Sequence, residues 1–184
     1  DCAFGYRDSR FKREPGRFLI TAVDFDLSEP RPLKLAYGAI AGELERAGVT
    51  EPTARDVAGA VTNIRRSKLP DWFFLGNSGS FFKNPVVERS LHAELSQTYT
   101  DLPSYPIDDG HVKLPAGWLI DRAGLRGAGT ERVGTYERQA LVIVNRGGAS
   151  GRDILSFSQQ VQDTVMEKFG VPLEPEVRVI GHQS

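Results

Sequence analysis

The 184-residue sequence has little cysteine or histidine, and this excludes several kinds of site. Cys2 is the one cysteine, so no intrachain disulfide can form and no zinc site can be built from cysteine pairs. The histidines, His92, His111 and His182, are far apart and lack the HExxH spacing of a catalytic zinc site. No apolar run approaches the roughly 18 residues of a membrane-spanning helix. We therefore expect no bound metal and no transmembrane segment, and the scarcity of cysteine fits a reducing cytoplasm.

Charge of one sign is also missing. Lys and Arg number 23 and Asp and Glu number 24, so the formal net charge is −1. This balance excludes a nucleic-acid binder that depends on overall positive charge, though not a local basic pocket. We expect neither nucleic acid nor a membrane among the partners, and we expect a monomer. The chain opens on Asp1 without an initiator Met, and we interpret it as a piece of a longer protein.

The spacing of apolar residues predicts a mixture of helices and short strands. The strongest pattern is a long amphipathic helix that Ser150 caps and Gly170 ends. Because the order lacks regular βαβ units, we predict an α+β fold. The predicted helices cover 38–47, 54–66, 86–97, 117–125 and 150–169, and the predicted strands cover 17–27, 139–145 and 173–180.

The most unusual segment is the glycine-rich run GNSGSFFKNP at residues 76–85. Within seven residues, 78–84, it places two hydroxyls, an ammonium group and an amide beside two aromatic rings. Its glycines would let the backbone approach a ligand closely. The same letters also fit a tight turn with a buried pair of Phe side chains, and the pattern alone leaves both interpretations open.

Three charged segments also have two interpretations each. Tyr6–Ser9 could hold a carboxylate or phosphate through Arg7, or form a surface turn with an Arg–Asp ion pair. Arg65–Lys68 could bind a diphosphate, or cap the end of a helix. Glu174–Arg178 could present a functional carboxylate, or form a half-exposed strand.

Taken together, the segments resemble one family, the UDP-N-acetylenolpyruvoylglucosamine reductases of bacterial peptidoglycan synthesis. Each match is weak alone, but the ordered set covers nearly the whole chain and is specific. The matching stretches are DCAFGYRDS at 1–9 with Phe11-Lys12, Tyr37-Gly38, SKLP at 67–70, GSFFKNPVV at 79–87, VKLPAGWLID at 112–121, Gln139–Val142 and LEPEVR at 173–178.

The resemblance implies a cytoplasmic flavoenzyme. In that family NADPH reduces FAD, hydride passes to C3 of the enolpyruvyl ether of a UDP-sugar, and protonation at C2 gives UDP-N-acetylmuramate. By position, Ser80 matches the proton donor, and Arg7 and Glu176 match the residues that stabilise the enolate-like intermediate. The remaining matches are Tyr37 on a lid loop, Lys68 and Asn84 near the phosphates, Tyr6 and Gln139 in the substrate pocket, and Arg7, Gly79 and Ser80 beside the flavin.

The resemblance also implies a division of the chain. Residues 1–70 would be the end of the FAD-binding domain, 71–171 a substrate-binding α+β domain with a small antiparallel sheet, and 172–184 a strand returning to the active site. The sequence contains no GxGxxG loop for a dinucleotide pyrophosphate. The alternatives are therefore a UDP-sugar-binding module without chemistry of its own, and an interaction protein with Phe81-Phe82 and Trp72-Phe73-Phe74 as a sticky surface.

Overall fold

The fold is seen in a computed structural model of the chain. The structure describes residues 2–5, 7–26, 31–36 and 39–181. The chain divides into two compact units, Asp1–Lys34 and Leu35–Ser184. The two hydrophobic clusters found among the described residues both lie in the second unit. The bounds of the family's domains at residues 70 and 171 stay a prediction.

The described elements are helices and short strands, which confirms the predicted α+β class. In chain order they are α1 (Arg10–Arg13), α2 (Ile40–Arg46), α3 (Ala54–Lys68), β1 (Gly76–Ser80), β2 (Val86–Glu88), α4 (Arg89–Thr98), β3 (Tyr105–Pro106), β4 (His111–Lys113), α5 (Ala116–Arg122), β5 (Val133–Tyr136), β6 (Gln139–Asn145) and α6 (Gly151–Phe169).

The first unit holds a tight turn and the short helix α1. The turn is closed by a bridge between Gly5 and Asp8. The strand predicted over 17–27 is not formed within its described part, residues 17–26, where Leu19, Val23 and Phe25 are exposed. A strand is stable only when a neighbour completes its hydrogen-bond ladder, and no strand is paired with residues 18–26 in the described part of the chain.

The second unit contains two antiparallel three-stranded sheets. Their orders are β1-β6-β5 and β2-β4-β3. Strand β6 lies at the centre of the first sheet, and Val142, Ile143 and Val144 are buried there. The strand predicted over 139–145 is confirmed. It forms there because a run of β-branched residues suits a central strand that is covered on both faces.

Helix α6 covers the main core and has well-defined ends. Ser150 and Asp153 form a reciprocal capping box at its start, and Gly170 ends it in a left-handed conformation with φ 64°. The hydrogen bonds from the backbone and side chain of Ser150 hold the pKa of Asp153 below its usual range. The buried face of α6 includes Phe157, Val161 and Val165, which confirms the predicted long helix.

Helices α2 and α3 form a smaller cluster of their own. Ile40, Leu44 and Ala60 are buried between them. Thr53 and Asp56 form a second capping box at the start of α3. The side chain and the backbone N–H of Thr53 donate hydrogen bonds to the Asp56 carboxylate, and these lower the pKa of Asp56. The helices predicted over 38–47 and 54–66 are therefore present, with the first beginning at Ile40 and the second running to Lys68.

Two further predictions need correction, and several strands are not predicted at all. Residues 86–88 form strand β2 rather than the first turn of a helix, and α4 begins only at Arg89. Residues 173–180 form a single bridge at Pro175 instead of a strand. Strands β1, β3, β4 and β5 are not predicted. Strand β1 is made of Gly, Asn and Ser, and it owes its pairing to the buried neighbour β6 rather than to its own residues.

Neither a metal site nor a membrane span is found in the part of the chain that the structure describes. No three His, Cys, Asp or Glu side chains are grouped there so that they could hold a metal ion. None of its helices combines the length and the apolar character needed to cross a membrane.

Candidate active site

Ser80 ends strand β1 and is exposed. The strand is irregular between Asn77 and Ser80, where Gly79 takes φ 72° and donates its N–H to Oδ1 of Asn77 at 3.0 Å. A Cβ at Gly79 would meet no atom within 4 Å, so one side of the backbone beside Ser80 is open. Phe81 and Phe82 follow directly and are both buried in the core. The hydroxyl is thus presented at the surface from a rigidly anchored strand end.

Glu176 lies beside this strand end although it is far away in the sequence. Its backbone N–H donates to the carbonyl of Phe81 at 2.8 Å, and the N–H of Lys83 donates to the carbonyl of Glu174 at 2.8 Å. Phe82 and Pro175 form the bridge between these two hydrogen bonds. The structure therefore brings the backbones of Ser80 and Glu176 to the same edge of the second unit.

Further contacts hold the returning segment in place. The ammonium group of Lys83 forms an ion pair with Glu174. Nε2 of Gln162 on helix α6 donates to the carbonyl of Leu173 at 2.8 Å, and Leu173 itself is buried. Since the segment is anchored on both sides of Pro175, the position of Glu176 relative to β1 is fixed by the fold.

Asn84 and Gln139 both lie at the start of helix α5. Oδ1 of Asn84 accepts the N–H of Ala116 at 2.9 Å, which directs its NH2 group away from the helix. Oε1 of Gln139 lies 3.1 Å from where a Cβ would stand on Gly117. Gly117 therefore leaves room for the Gln139 side chain, and two side-chain amides converge on one turn of backbone.

Lys68 lies at the end of α3 and lines a cavity of about 610 Å³. Arg65 and the ring of Tyr105 line the same cavity, and its remaining walls are apolar side chains of α2 and α3 and the chain before α2. Nζ of Lys113 lies 5.8 Å from the centre of the Tyr105 ring. Two cations, Arg65 and Lys68, and an aromatic ring thus line one cavity, with Lys113 beside that ring. This combination suits an anionic ligand with a flat group.

The cavity and Asn84 lie near each other through the second sheet. Tyr105 is paired with Lys113, and Lys113 is paired with Val86, two positions after Asn84. The N–H of Leu114 also donates to the carbonyl of Pro85 at 2.9 Å. These pairings join the cation-lined cavity to the segment that carries Asn84 and Ser80.

The structure does not relate the other predicted site residues to this group. Arg7 belongs to the first unit, has φ 54°, and offers its carbonyl to Nζ of Lys12 at 2.9 Å. Tyr6 and Tyr37 lie outside the described residues. Asp8 forms an ion pair with Arg13 at 3.1 Å. The roles of Arg7, Tyr6 and Tyr37 stay predictions.

Two of the alternative interpretations are partly correct. Phe81 and Phe82 are a buried pair, yet Ser80 beside them is exposed. The cations of Arg65 and Lys68 do end a helix, but their side chains also line the cavity. A sticky surface at Phe81-Phe82 is wrong because both rings belong to the core.

Residues 70–180 match the family described as UDP-N-acetylenolpyruvoylglucosamine reductase, C-terminal domain, and this stretch is more than half of the chain. The chain belongs to this family. A UDP-N-acetylenolpyruvoylglucosamine reductase of Chromobacterium violaceum is 52% identical over 181 residues, which cover 98% of this chain and 53% of that relative. The reductase of Pseudomonas aeruginosa is 49% identical over 175 residues, covering 95% and 52%. The chain thus spans about half the length of the curated relatives it matches.

Sequence reasoning missed one residue of the site, Tyr105. It lies between Pro103 and Pro106 in a segment without periodicity, and no motif singles it out. Its place at the cavity depends on the pairing of β3 with β4. A strand of only two residues leaves no recognisable pattern in the sequence. No strand is predicted near it, so the sequence offers no signal for this residue.

Proposed function

We propose that this chain is the substrate-binding and proton-donating part of an FAD-dependent, NADPH-consuming reductase of UDP-N-acetylglucosamine enolpyruvate. The reaction would give UDP-N-acetylmuramate for peptidoglycan synthesis, and it would take place in the cytoplasm. The observation that supports this most is the hydrogen bond from Glu176 to Phe81, which joins the Ser80 and Glu176 stretches. Membership of the family and the names of the relatives agree with it.

In the proposed reaction Ser80 donates its proton to C2 of the enolpyruvyl group. An aliphatic hydroxyl is a weak acid, so it can serve only toward a strongly basic carbanionic carbon held within hydrogen-bond reach. Its exposure at the end of β1, beside the open face of Gly79, supports such close approach by a ligand. The anchoring by Phe81 and Phe82 limits its movement, which favours one proton-transfer geometry.

Glu176 would act together with Arg7 on the developing charge. Negative charge that forms on C2 and the carboxylate is stabilised by a fixed guanidinium group, the role that the resemblance gives to Arg7. The resemblance gives the same stabilising role to Glu176, and its carboxylate would also relay a proton to Ser80. The anchored backbone on both sides of Pro175 supports a positioning role for Glu176.

The diphosphate of the UDP group would bind between Lys68 and Asn84. Lys68 contributes a point charge, and Asn84 offers its NH2 group as a neutral donor because its carbonyl is occupied by Ala116. Arg65 adds a second cation, and the Tyr105 ring and apolar walls of the cavity suit the nucleoside. Gln139 would contact the substrate from the start of α5.

The residues present fit a flavin ring better than a whole dinucleotide. The open backbone side of Gly79 would accept a planar ring next to Ser80. The chain contains no glycine-rich pyrophosphate loop. A reduced flavin, when bound, supplies the hydride that adds to C3. Everything else in the proposed reaction is done by side chains, namely binding, orientation and protonation at C2.

Binding of the substrate to the chain alone tests the first half of the proposal. We expect UDP-N-acetylglucosamine enolpyruvate to bind in calorimetry, and Lys68→Ala to weaken it by about tenfold or more through loss of a charged contact. Arg66→Ala is the matched control, since Arg66 is an exposed cation of the same helix that does not line the cavity. Absence of binding, or equal loss in both variants, would contradict the proposed subsite.

A chimera tests the chemistry. The first half of the Chromobacterium violaceum reductase is fused to this chain at the matched boundary. With Ser80→Ala we expect flavin reduction by NADPH to persist and substrate reduction to fall by about a hundredfold or more. If the unmodified chimera binds substrate and reduces flavin but never reduces the substrate, the chain is a non-catalytic UDP-sugar-binding module instead.

A further inference from the structure

We propose that the turn formed by residues 71–75, here called the aromatic turn, docks this protein on an anionic lipid surface. The proposal rests on no part of the proposed reaction. It also departs from the expectation, drawn from the absence of a membrane-spanning segment, that the protein has no membrane partner.

The aromatic turn exposes three large rings in succession. Trp72, Phe73 and Phe74 are 76%, 74% and 83% exposed. The rings stack edge to face, with centres 6.1 Å apart for Trp72 and Phe73 and 5.2 Å apart for Phe73 and Phe74. Contiguous exposed apolar surface of this kind marks an interaction site, whereas single exposed hydrophobic residues do not.

Asp71 holds the aromatic turn in one shape. Its Oδ1 accepts the N–H of Phe73 at 2.9 Å, and its carbonyl accepts the N–H groups of Phe74 and Leu75 at 3.2 and 2.9 Å. The three rings are therefore presented together by a hydrogen-bonded turn. The backbone of the turn therefore has little conformational freedom left to lose when the rings enter a lipid interface.

Cations lie directly before the aromatic turn. Arg65, Arg66 and Lys68 end helix α3, and Asp71 is the one acidic residue between them and Leu75. Lys68 is four positions from Trp72, a reach of at most about 14 Å. Arg66 is exposed and does not line the cavity. The local charge is therefore positive, although the whole chain is nearly neutral.

Aromatic rings beside basic side chains suit a lipid interface better than a second copy of the chain. Trp and Phe enter the boundary between headgroups and acyl chains, while Arg and Lys meet anionic headgroups. Three such rings would bury about 500 Å² per chain, or about 1,000 Å² in a pair, the lower limit for a specific protein interface. Turn-to-turn pairing would also bring the basic clusters of two copies together.

Vesicle binding tests the proposal with the chain as it is. Sedimentation with vesicles of phosphatidylglycerol and phosphatidylcholine in equal parts is compared with pure phosphatidylcholine. We expect binding to the mixed vesicles that weakens with added salt, together with a blue shift of the fluorescence of Trp72. Trp72→Phe should keep the binding and lose the shift, because Trp118 packs against Tyr99 and Phe169.

Two variants separate the contributions of the rings and of the charge. Phe73→Ser with Phe74→Ser, and separately Arg66→Glu, should each weaken vesicle binding by about tenfold or more. Phe25→Ser is the matched control, since Phe25 is 80% exposed in the first unit and lies outside the aromatic turn. Circular dichroism verifies that each variant is folded.

Three results would overturn the proposal. The first is no binding of the unmodified chain to the mixed vesicles. The second is equal binding to both vesicle types or equal loss in the Phe25→Ser control. The third is burial of Trp72 in lipid-free solution, either by self-association that Phe73→Ser with Phe74→Ser abolishes, or by the separately produced first half of the Chromobacterium violaceum reductase.

Discussion

At the scale of single residues, Asn84 has two roles that two substitutions can separate. Its carbonyl accepts the N–H of Ala116, a residue with no exposed surface, and its NH2 group is the proposed phosphate donor. Asn84→Leu leaves that buried N–H without an acceptor and should lower the free energy of unfolding by about 1–3 kcal/mol. Urea denaturation measures the change.

Asn84→Asp is the companion substitution. It keeps an acceptor for Ala116 and should retain most of the stability, but it replaces the NH2 donor with a carboxylate oxygen. We therefore expect normal unfolding and weak binding of the UDP-sugar. Equal losses of stability in the two variants would show that Ala116 does not depend on the Asn84 carbonyl.

Two glycines should respond oppositely to alanine. A Cβ on Gly134 would stand closer than 3.0 Å to the carbonyl oxygen of Ala128 and to the guanidinium of Arg146, so Gly134→Ala should destabilise by about 1–3 kcal/mol. Gly59 is inside α3 with nothing within 4 Å, so Gly59→Ala should stabilise by about 0.5–1 kcal/mol. Thermal unfolding of both variants checks the two signs.

At the scale of elements, the capping boxes make helix stability depend on pH. Hydrogen bonds from Ser150 hold the pKa of Asp153 below 3.8, so the ionised form is favoured in the folded state. A carboxyl group with a lowered folded pKa stabilises above its unfolded pKa and stops doing so as the pH falls through its folded pKa. We expect the stability of α6 to decline below about pH 3.8.

Asp153→Asn isolates this contribution. The variant should be less stable than the parent at neutral pH, and the difference should shrink as acid protonates the parent carboxyl group. Urea denaturation at a series of pH values measures it. A constant difference across the acid range would mean that the cap does not act through its charge.

The elements that could be predicted are those whose own residues determine them. Helix α6 carries its apolar stripe and both end signals, and β6 carries a β-branched run, so both were predicted with nearly correct bounds. Strand β1 and the bridge at Pro175 depend on partners far away in the chain. Of the site, Ser80 and Glu176 could be named by resemblance, but the hydrogen bonds between their stretches required the fold.

At the scale of the whole molecule, the two units differ in how far buried apolar packing stabilises them. Every residue of both hydrophobic clusters comes from the second unit, while Leu19, Val23 and Phe25 of the first are exposed. We expect residues 35–184 alone to unfold cooperatively with a midpoint close to that of the full chain. A clear fall in the midpoint, measured by circular dichroism, would mean that the first unit supports the second.

The residues of the chain also bear on how well it could hold the cofactor. The chain has no glycine-rich pyrophosphate loop, and the residues that fit the flavin ring are few. We expect the purified chain to hold FAD poorly and to show little reductase activity by itself. Absorbance in the flavin bands after purification measures this, and stoichiometric flavin would contradict the expectation.

The hydrogen bond from Glu176 to Phe81 closes most of the second unit into one loop of chain. Contacts between residues so distant in sequence are slow to form, because loop entropy is lost before the contact returns any energy. Under the proposed function, activity would require an intact core. Loosening the core would separate the proposed proton donor Ser80 from Glu176, and this would abolish the reaction rather than broaden its specificity.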